Sequence, residues 1–153
     1  MAYQGRFPDD YSHRKSYPHR QNNRYNNHNN NKNKVLPGEY KIDNYSDNMD
    51  SKLFGKGVQL LVNDYLQKTK ITSSQVRRFY DKICSLNPQS QDLNIDLNII
   101  LAQIAYSVGR KNVCEEFFLL MENRISNIKT PKDFSSFKKH FECIVAYLKY
   151  INK

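Results

Sequence analysis

The sequence predicts an all-α fold, a compact five-helix bundle behind a disordered N-terminal tail. Three observations carry this. Apolar residues recur at steps of three and four through residues 51–153, the period of helices that bury one face. Capping residues, glycine and proline cut that region into five lengths. Residues 1–36 hold almost no aliphatic side chains, too few to offset the roughly 1–2 kcal/mol per residue that ordering a backbone costs.

The tail mixes Arg6, Arg14, Lys15, Arg20, Arg24, Lys32 and Lys34 with Tyr3, Tyr11, Tyr17 and Tyr25, around an asparagine-rich tract from Gln21 to Asn33. A flexible segment of this kind can hold single-stranded nucleic acid through phosphate contacts and base stacking, or can be a tail without a selected role. His13, His19 and His28 have no ligand-like spacing. Residues 37–50 open with Pro37-Gly38 and turn acidic, with Glu39, Asp43, Asp47 and Asp50 against Lys41. They read as a linker, in which a strand from Tyr40 to Tyr45 is too short to build a sheet.

The first helix is expected from about Ser51 to Lys68, with Phe54, Val58, Leu61, Val62 and Tyr65 on one face. Gly55 and Gly57 each cost about 1 kcal/mol against alanine in a helix interior. They mark either a frayed first turn or the close approach of another backbone. The second helix carries the most information. Thr72 and Gln75 form a capping box, and Ile71 can staple onto Val76. Val76, Phe79, Tyr80, Ile83 and Leu86 make its core stripe, and Asn87-Pro88 stops it. Its remaining face holds Arg77, Arg78, Asp81 and Lys82.

The third helix, about Leu93 to Val108, is apolar on most of its circumference, which places it in the middle of the bundle. Gly109 is expected to end it in the left-handed conformation. Arg110 and Lys111 follow, where cations suit the helix dipole. Asn112 with Glu115 starts the fourth helix, which carries Phe117, Leu120, Met121, Arg124, Ile125 and Ile128. Thr130-Pro131 starts the fifth. Phe134, Phe137, Phe141, Ile144, Val145, Leu148 and Ile151 form its stripe, with His140 beside it as a surface or edge histidine.

The formal charge is +9, from 24 Lys and Arg against 15 Asp and Glu. Residues 51–153 alone hold 16 against 9, a net +7. An excess of that size attracts a polyanion and makes binding sensitive to salt; the plainer alternative is a solvated surface. Cys84, Cys114 and Cys143 are odd in number and far apart, which suggests neither a disulfide framework nor a zinc site, but reduced, buried small hydrophobes. Without an apolar run near 18 residues or a secretory start, the expected location is cytoplasmic.

No catalytic constellation emerges, and no metal or cofactor is expected. Carboxylates are scattered, and Gly55-Lys56-Gly57 lacks the pattern of a phosphate-binding loop. Two binding readings remain for the second helix. Ser73, Ser74, Gln75, Arg77 and Arg78 near its start are types that read bases from a recognition helix, the helix-turn-helix DNA-binding alternative. The same arginines can instead hold phosphates without reading sequence, as a scaffold on RNA requires.

Three segments in order, Thr72-Ser73-Ser74-Gln75-Val76-Arg77 with Phe79-Tyr80, Ala105-Tyr106 leading to Gly109-Arg110, and Phe141 with Ile144-Val145-Ala146-Tyr147, resemble the small subunit of type III-A CRISPR effector ribonucleoproteins, the Csm complexes. The resemblance covers about residues 51–153. It implies a five-helix protein without catalytic activity that stacks in several copies beside guide RNA and target RNA, next to backbone subunits and the large signalling and nuclease subunit. By motif it carries RNA contact onto Gln75, Arg77 and Arg110. Arg78, Lys82, Lys52, Lys56 and Lys111 are candidates from the basic face alone.

Overall fold

The computed structural model describes residues 33–152. The tail prediction for residues 1–32, with His13, His19 and His28, lies outside the described residues. Among those described, the chain forms five α-helices and no strand: α1 (Gly55–Leu60), α2 (Ser73–Cys84), α3 (Leu93–Gly109), α4 (Glu115–Ser126) and α5 (Pro131–Ile151).

The centre of the bundle is α5. Its stripe of Phe134, Phe137, Phe141, Ile144 and Leu148 is wholly buried. Phe141 stands 5.5 Å from Tyr80 of α2, edge to face, and 6.0 Å from Phe117 of α4, which in turn lies 6.2 Å from Phe79. Aromatic pairs at such separations each add about 0.5–1.5 kcal/mol beyond the area they bury. Thr130 caps α5 reciprocally with Asp133, and Pro131 occupies the first turn.

The expected central place of the third helix is corrected. Only Leu97, Ile100 and Ile104 of α3 are buried, while Ile95, Ile99 and Tyr106 face outward. The sequence shows that α3 is apolar; it does not show that another helix takes the middle. Its end is corrected too. The left-handed residue is Lys111, at φ 60°, not Gly109. The Asn112 N–H donates to Ser107 O at 2.9 Å and the Lys111 N–H to Val108 O at 2.9 Å, the two bonds of a Schellman cap. Asn112 therefore closes α3 rather than opening α4, which starts at Glu115 after Cys114.

The first helix is not one piece from 51 to 68. A π turn, Met49–Leu53, ends at Phe54 in extended conformation. Gly55 then takes φ +56° before α1 begins its climb. At Gly57 another backbone does come close: a Cβ there would lie 2.7 Å from Lys52 Cα and nearer still to the Ser51 carbonyl oxygen. Beyond α1 the chain widens into a π turn, Leu61–Leu66. That extra residue brings Leu66 inward with Leu61 and Val62, and leaves Tyr65 half-buried. The Tyr65 phenol is pushed up to about 12, chiefly by burial.

The stretch read as a linker carries Ile42 and Tyr45 into the core, and Leu36 before it is buried as well. Asn123 clamps the Ile42 backbone, accepting its N–H at 3.0 Å and donating to its carbonyl at 3.1 Å. Asn127 donates to the same carbonyl at 3.0 Å, and Tyr45 donates to Arg124 O at 2.7 Å.

Beneath this clamp lies a buried polar network. Arg124 is fully buried, its Nη1 donating to Tyr40 O at 2.7 Å and to Asn123 Oδ1 at 2.6 Å. Its Nε–H donates to His140 Nε2 at 3.1 Å, and His140 Nδ1–H donates to Leu53 O at 2.6 Å. His140 is thus in the core, not at the surface or edge. Burial, with the Arg124 charge adding to it, pushes its pKa down to about 3, and burial holds Arg124 down at about 10. The cysteine expectation also changes: all three are free, but Cys84 is exposed and the other two are half-buried.

Two consequences can be measured. Gly57→Ala, which in an unobstructed helix gains about 1 kcal/mol, instead destabilises by roughly 1–3 kcal/mol because the methyl meets backbone; urea unfolding gives the sign. His140 stays neutral in the fold but takes a proton near pH 6.5 when unfolded. Its contribution is present above that pH and is lost as pH falls toward about 3. Between pH 6.5 and 5 unfolding free energy drops by roughly 1.5–2 kcal/mol from this group, and His140→Gln flattens that slope in urea titrations across the interval.

Candidate nucleic-acid interface

The basic surface is built where the start of α2 meets the end of α3. Thr72 caps α2 through the Gln75 N–H, and Gln75 Oε1 accepts the Thr72 N–H at 2.9 Å, completing the expected capping box. The other end of the same amide donates to Asn112 O at 2.7 Å. One side chain therefore both opens α2 and ties it to the α3–α4 connection. Farther along, Lys82 donates to Gln103 Oε1 at 2.7 Å, and its ammonium lies 5.7 Å from the centre of the Phe79 ring. These two cross-links hold the flank of α2 against α3.

Between them the cations are presented outward. By helical periodicity Arg78 shares the α3-facing flank with Gln75 and Lys82, whereas Arg77 lies across the exposed face. Arg77 and Asp81 approach to 3.9 Å with both side chains more than half exposed, a pair worth at most about 0.2–1 kcal/mol. Arg110 donates to the Tyr106 hydroxyl at 3.1 Å and its guanidinium sits 5.7 Å from that ring's centre, leaving most of its donors to solvent. A groove of about 380 Å³ runs below, lined by Lys70, Gln75, Lys111, Asn112 and Glu115 among others. Lys70, like Lys111, has φ 60°. Both therefore hold a left-handed backbone that costs a non-glycine residue roughly 1–2 kcal/mol. Lys70 was missed because its place in the groove depends on the turn that follows the π segment.

Not every candidate lies here. Lys52 points away: its ammonium donates to Lys41 O and lies 3.5 Å from Gly38 O, and it lines a separate cavity of about 240 Å³ with Glu39, Tyr40, Asp64 and Arg124. Its visible work is to pin the 38–41 segment. Lys56 is exposed near the start of α1. Gln75 has its oxygen on the Thr72 N–H and one amide N–H on Asn112 O, so it has a structural role in the α2–α3 seam. Among the described residues no group of His, Cys, Asp and Glu is placed to hold a metal ion, and no helix is long and apolar enough to cross a membrane.

A family model described as Csm2 Type III-A matches residues 51–153. The chain belongs to the Csm2 family. It is accordingly a small subunit of the type III-A Csm complex of CRISPR defence. The matched span begins inside the π turn before α1 and takes in all five helices, so the α2–α3 surface lies wholly within it. The comparisons with curated proteins and with solved structures give no match.

Gln75→Ala removes half of a capping box and the tie to Asn112. It should lower unfolding free energy by about 1–2 kcal/mol, and Gln75→Glu, which keeps the acceptor for Thr72 but not the donor for Asn112, should recover only part of that loss in denaturant titrations.

Proposed function

We propose that this Csm2-family chain is a non-catalytic lining of the RNA path, holding the sugar-phosphate backbone of guide RNA and target RNA without reading sequence. It would do so in copies stacked along the RNA, against backbone subunits and the large signalling and nuclease subunit, in the cytoplasm and in the service of antiviral defence. The observation that supports the reading is the set of exposed Arg78, Arg110 and Lys111 beside the α2–α3 seam, which Gln75 and Lys82 hold together, with Arg77 on the adjoining outward face of α2. Cations on cross-linked helix ends meet a strand with little further loss of freedom, which favours phosphate contact. Lys56 is a further phosphate contact in this reading, while Gln75 and Lys52 position backbone. The non-catalytic part is supported by His140, which is sealed and held neutral between Arg124 and Leu53 O and so is unable to exchange protons with a substrate.

If about four phosphates are neutralised per copy, log K for single-stranded RNA falls with log salt at a slope of roughly −3. Arg77→Ala and Arg110→Ala should each flatten that slope by about 0.7 and weaken RNAs of every sequence alike. Filter binding with the full chain measures both. A binding constant indifferent to salt overturns the proposal, and a loss confined to one base pair of duplex DNA would replace it with the helix-turn-helix reading.

A further inference from the structure

Arg124 keeps one group in reserve. Its Nε and Nη1 hydrogens go to His140, Tyr40 O and Asn123 Oδ1, but Nη2, equally buried, has no hydrogen-bond partner among the described residues. A donor left in that position is penalised by roughly 1–3 kcal/mol, and by more when it is charged, so it marks a place for an acceptor. The same side chain lines the cavity of about 240 Å³ with Glu39, Tyr40, Ser51, Leu60 and Asp64. With its other nitrogens engaged, what the guanidinium offers that cavity is Nη2. Lys52 lines the cavity too, but its ammonium is already on Lys41 O.

The cavity continues into a second cleft of about 520 Å³, which shares Glu39, Tyr40 and Asp64 with it and adds Pro37, Tyr65 and Glu116. There the Tyr40 and Tyr65 rings lie 5.1 Å apart among the three carboxylates, with Lys68 as the opposing charge. Burial, and after it Glu39, holds the Tyr40 phenol above its usual value. A lysine of this chain shows what such a wall accepts: the Lys34 ammonium donates to Glu116 Oε1 at 2.9 Å. None of Arg77, Arg78, Arg110, Lys111 and Lys56, assigned to phosphate above, lines either part, and the carboxylates repel a polyanion.

The two parts ask for different chemistry, and that selects the occupant. A free polyamine satisfies the carboxylates but brings no acceptor to Nη2. A small anion satisfies Nη2 but has to pass Glu39 and Asp64. A polypeptide brings both, since its main chain carries a carbonyl oxygen on every residue, and a lysine or arginine side chain suits carboxylates and aromatic faces alike. An elongated cleft also suits an extended chain better than a compact molecule. We infer that this cleft docks a basic, extended segment of a partner protein, its cationic side chain against Glu39, Asp64 and the tyrosine pair and a main-chain carbonyl accepting from Arg124 Nη2. The walls are already fixed by the Arg124 and His140 ties to Tyr40 and Leu53, so docking orders little of this chain.

Fluorescence anisotropy with the full chain and a labelled peptide of alternating lysine and serine, acetylated and amidated at its ends, tests this. The expected result is saturable binding with a Kd below about 1 mM. Spermine, matched to the peptide in charge but without a carbonyl, should compete at least about tenfold more weakly than unlabelled peptide, because it leaves the charged donor unpaired. Glu39→Gln and Asp64→Asn, both at exposed positions, should keep their helical circular dichroism and thermal midpoint and each weaken the peptide about threefold. Replacing Arg124 breaks the buried network, so that residue is read in the native chain: its side-chain N–H signal in nitrogen-15 NMR should shift with peptide and stay in place with spermine. Failure of the peptide to saturate, or binding unchanged in both variants, overturns the inference. So does an Arg124 signal indifferent to peptide, or spermine competing as well as the peptide, which would leave only an acidic patch.

Discussion

The buried Arg124–His140 pair is the constraint on which the rest of this structure depends. A guanidinium with no solvent access and no carboxylate within ion-pair distance among the described residues is held by a histidine and the oxygens of Tyr40 and Asn123. His140 passes the tie on to Leu53 O. Four parts of the chain are therefore fastened at one point: α4, α5, the segment before the first π turn and the end of that turn. A charge is costly to bury, and leaving it uncompensated costs several kcal/mol more. The 38–54 segment is consequently fixed, and with it the place where α1 can start.

The two glycines of α1 follow from that fixture. Once Leu53 O is committed to His140, the chain has to reverse within two residues to climb alongside α5. Phe54 is extended and Gly55 left-handed for that reason. Gly57 then lets α1 lie directly on the Ser51–Lys52 backbone. The π turn at Leu61–Leu66 continues the same compromise, since it rotates Leu66 inward where a regular helix would have turned Tyr65.

How much of this the sequence made legible depends on whether a signal was local. The capping box of Thr72, the capping role of Thr130 and the stripes of α2 and α5 depend on residues close in sequence, and they were readable there; the reciprocal partner of Thr130, Asp133, was not read. The inward turn of Ile42 and Tyr45, the burial of His140 and the outward face of α3 were not, because each is decided by what a distant element offers. Asn123 in the last turn of α4 and Asn127 at its C-terminal cap were a signal available in hindsight: paired amides one turn apart can clamp a passing stretch of backbone. Arg124, noted on the apolar stripe of its helix, was another, because a cation at a core position needs neutral acceptors brought to it from elsewhere.

The candidate site shows the same division at closer range. Residue type and order were enough to single out Arg77, Arg78, Arg110 and Lys111, yet only the fold separates cations that face outward from those already employed. Lys52 and Lys82 are equally basic in composition; one is spent on backbone carbonyls and the other on Gln103. Gln75 is the clearest case, since the residue that looks most like a reader of bases is the one that joins α2 to the α3–α4 connection. A surface organised this way has its polar, shape-reading groups turned inward as struts and its permanent charges turned outward. In the proposed RNA-lining role such a surface would hold a phosphate backbone of any sequence and would choose poorly among sequences.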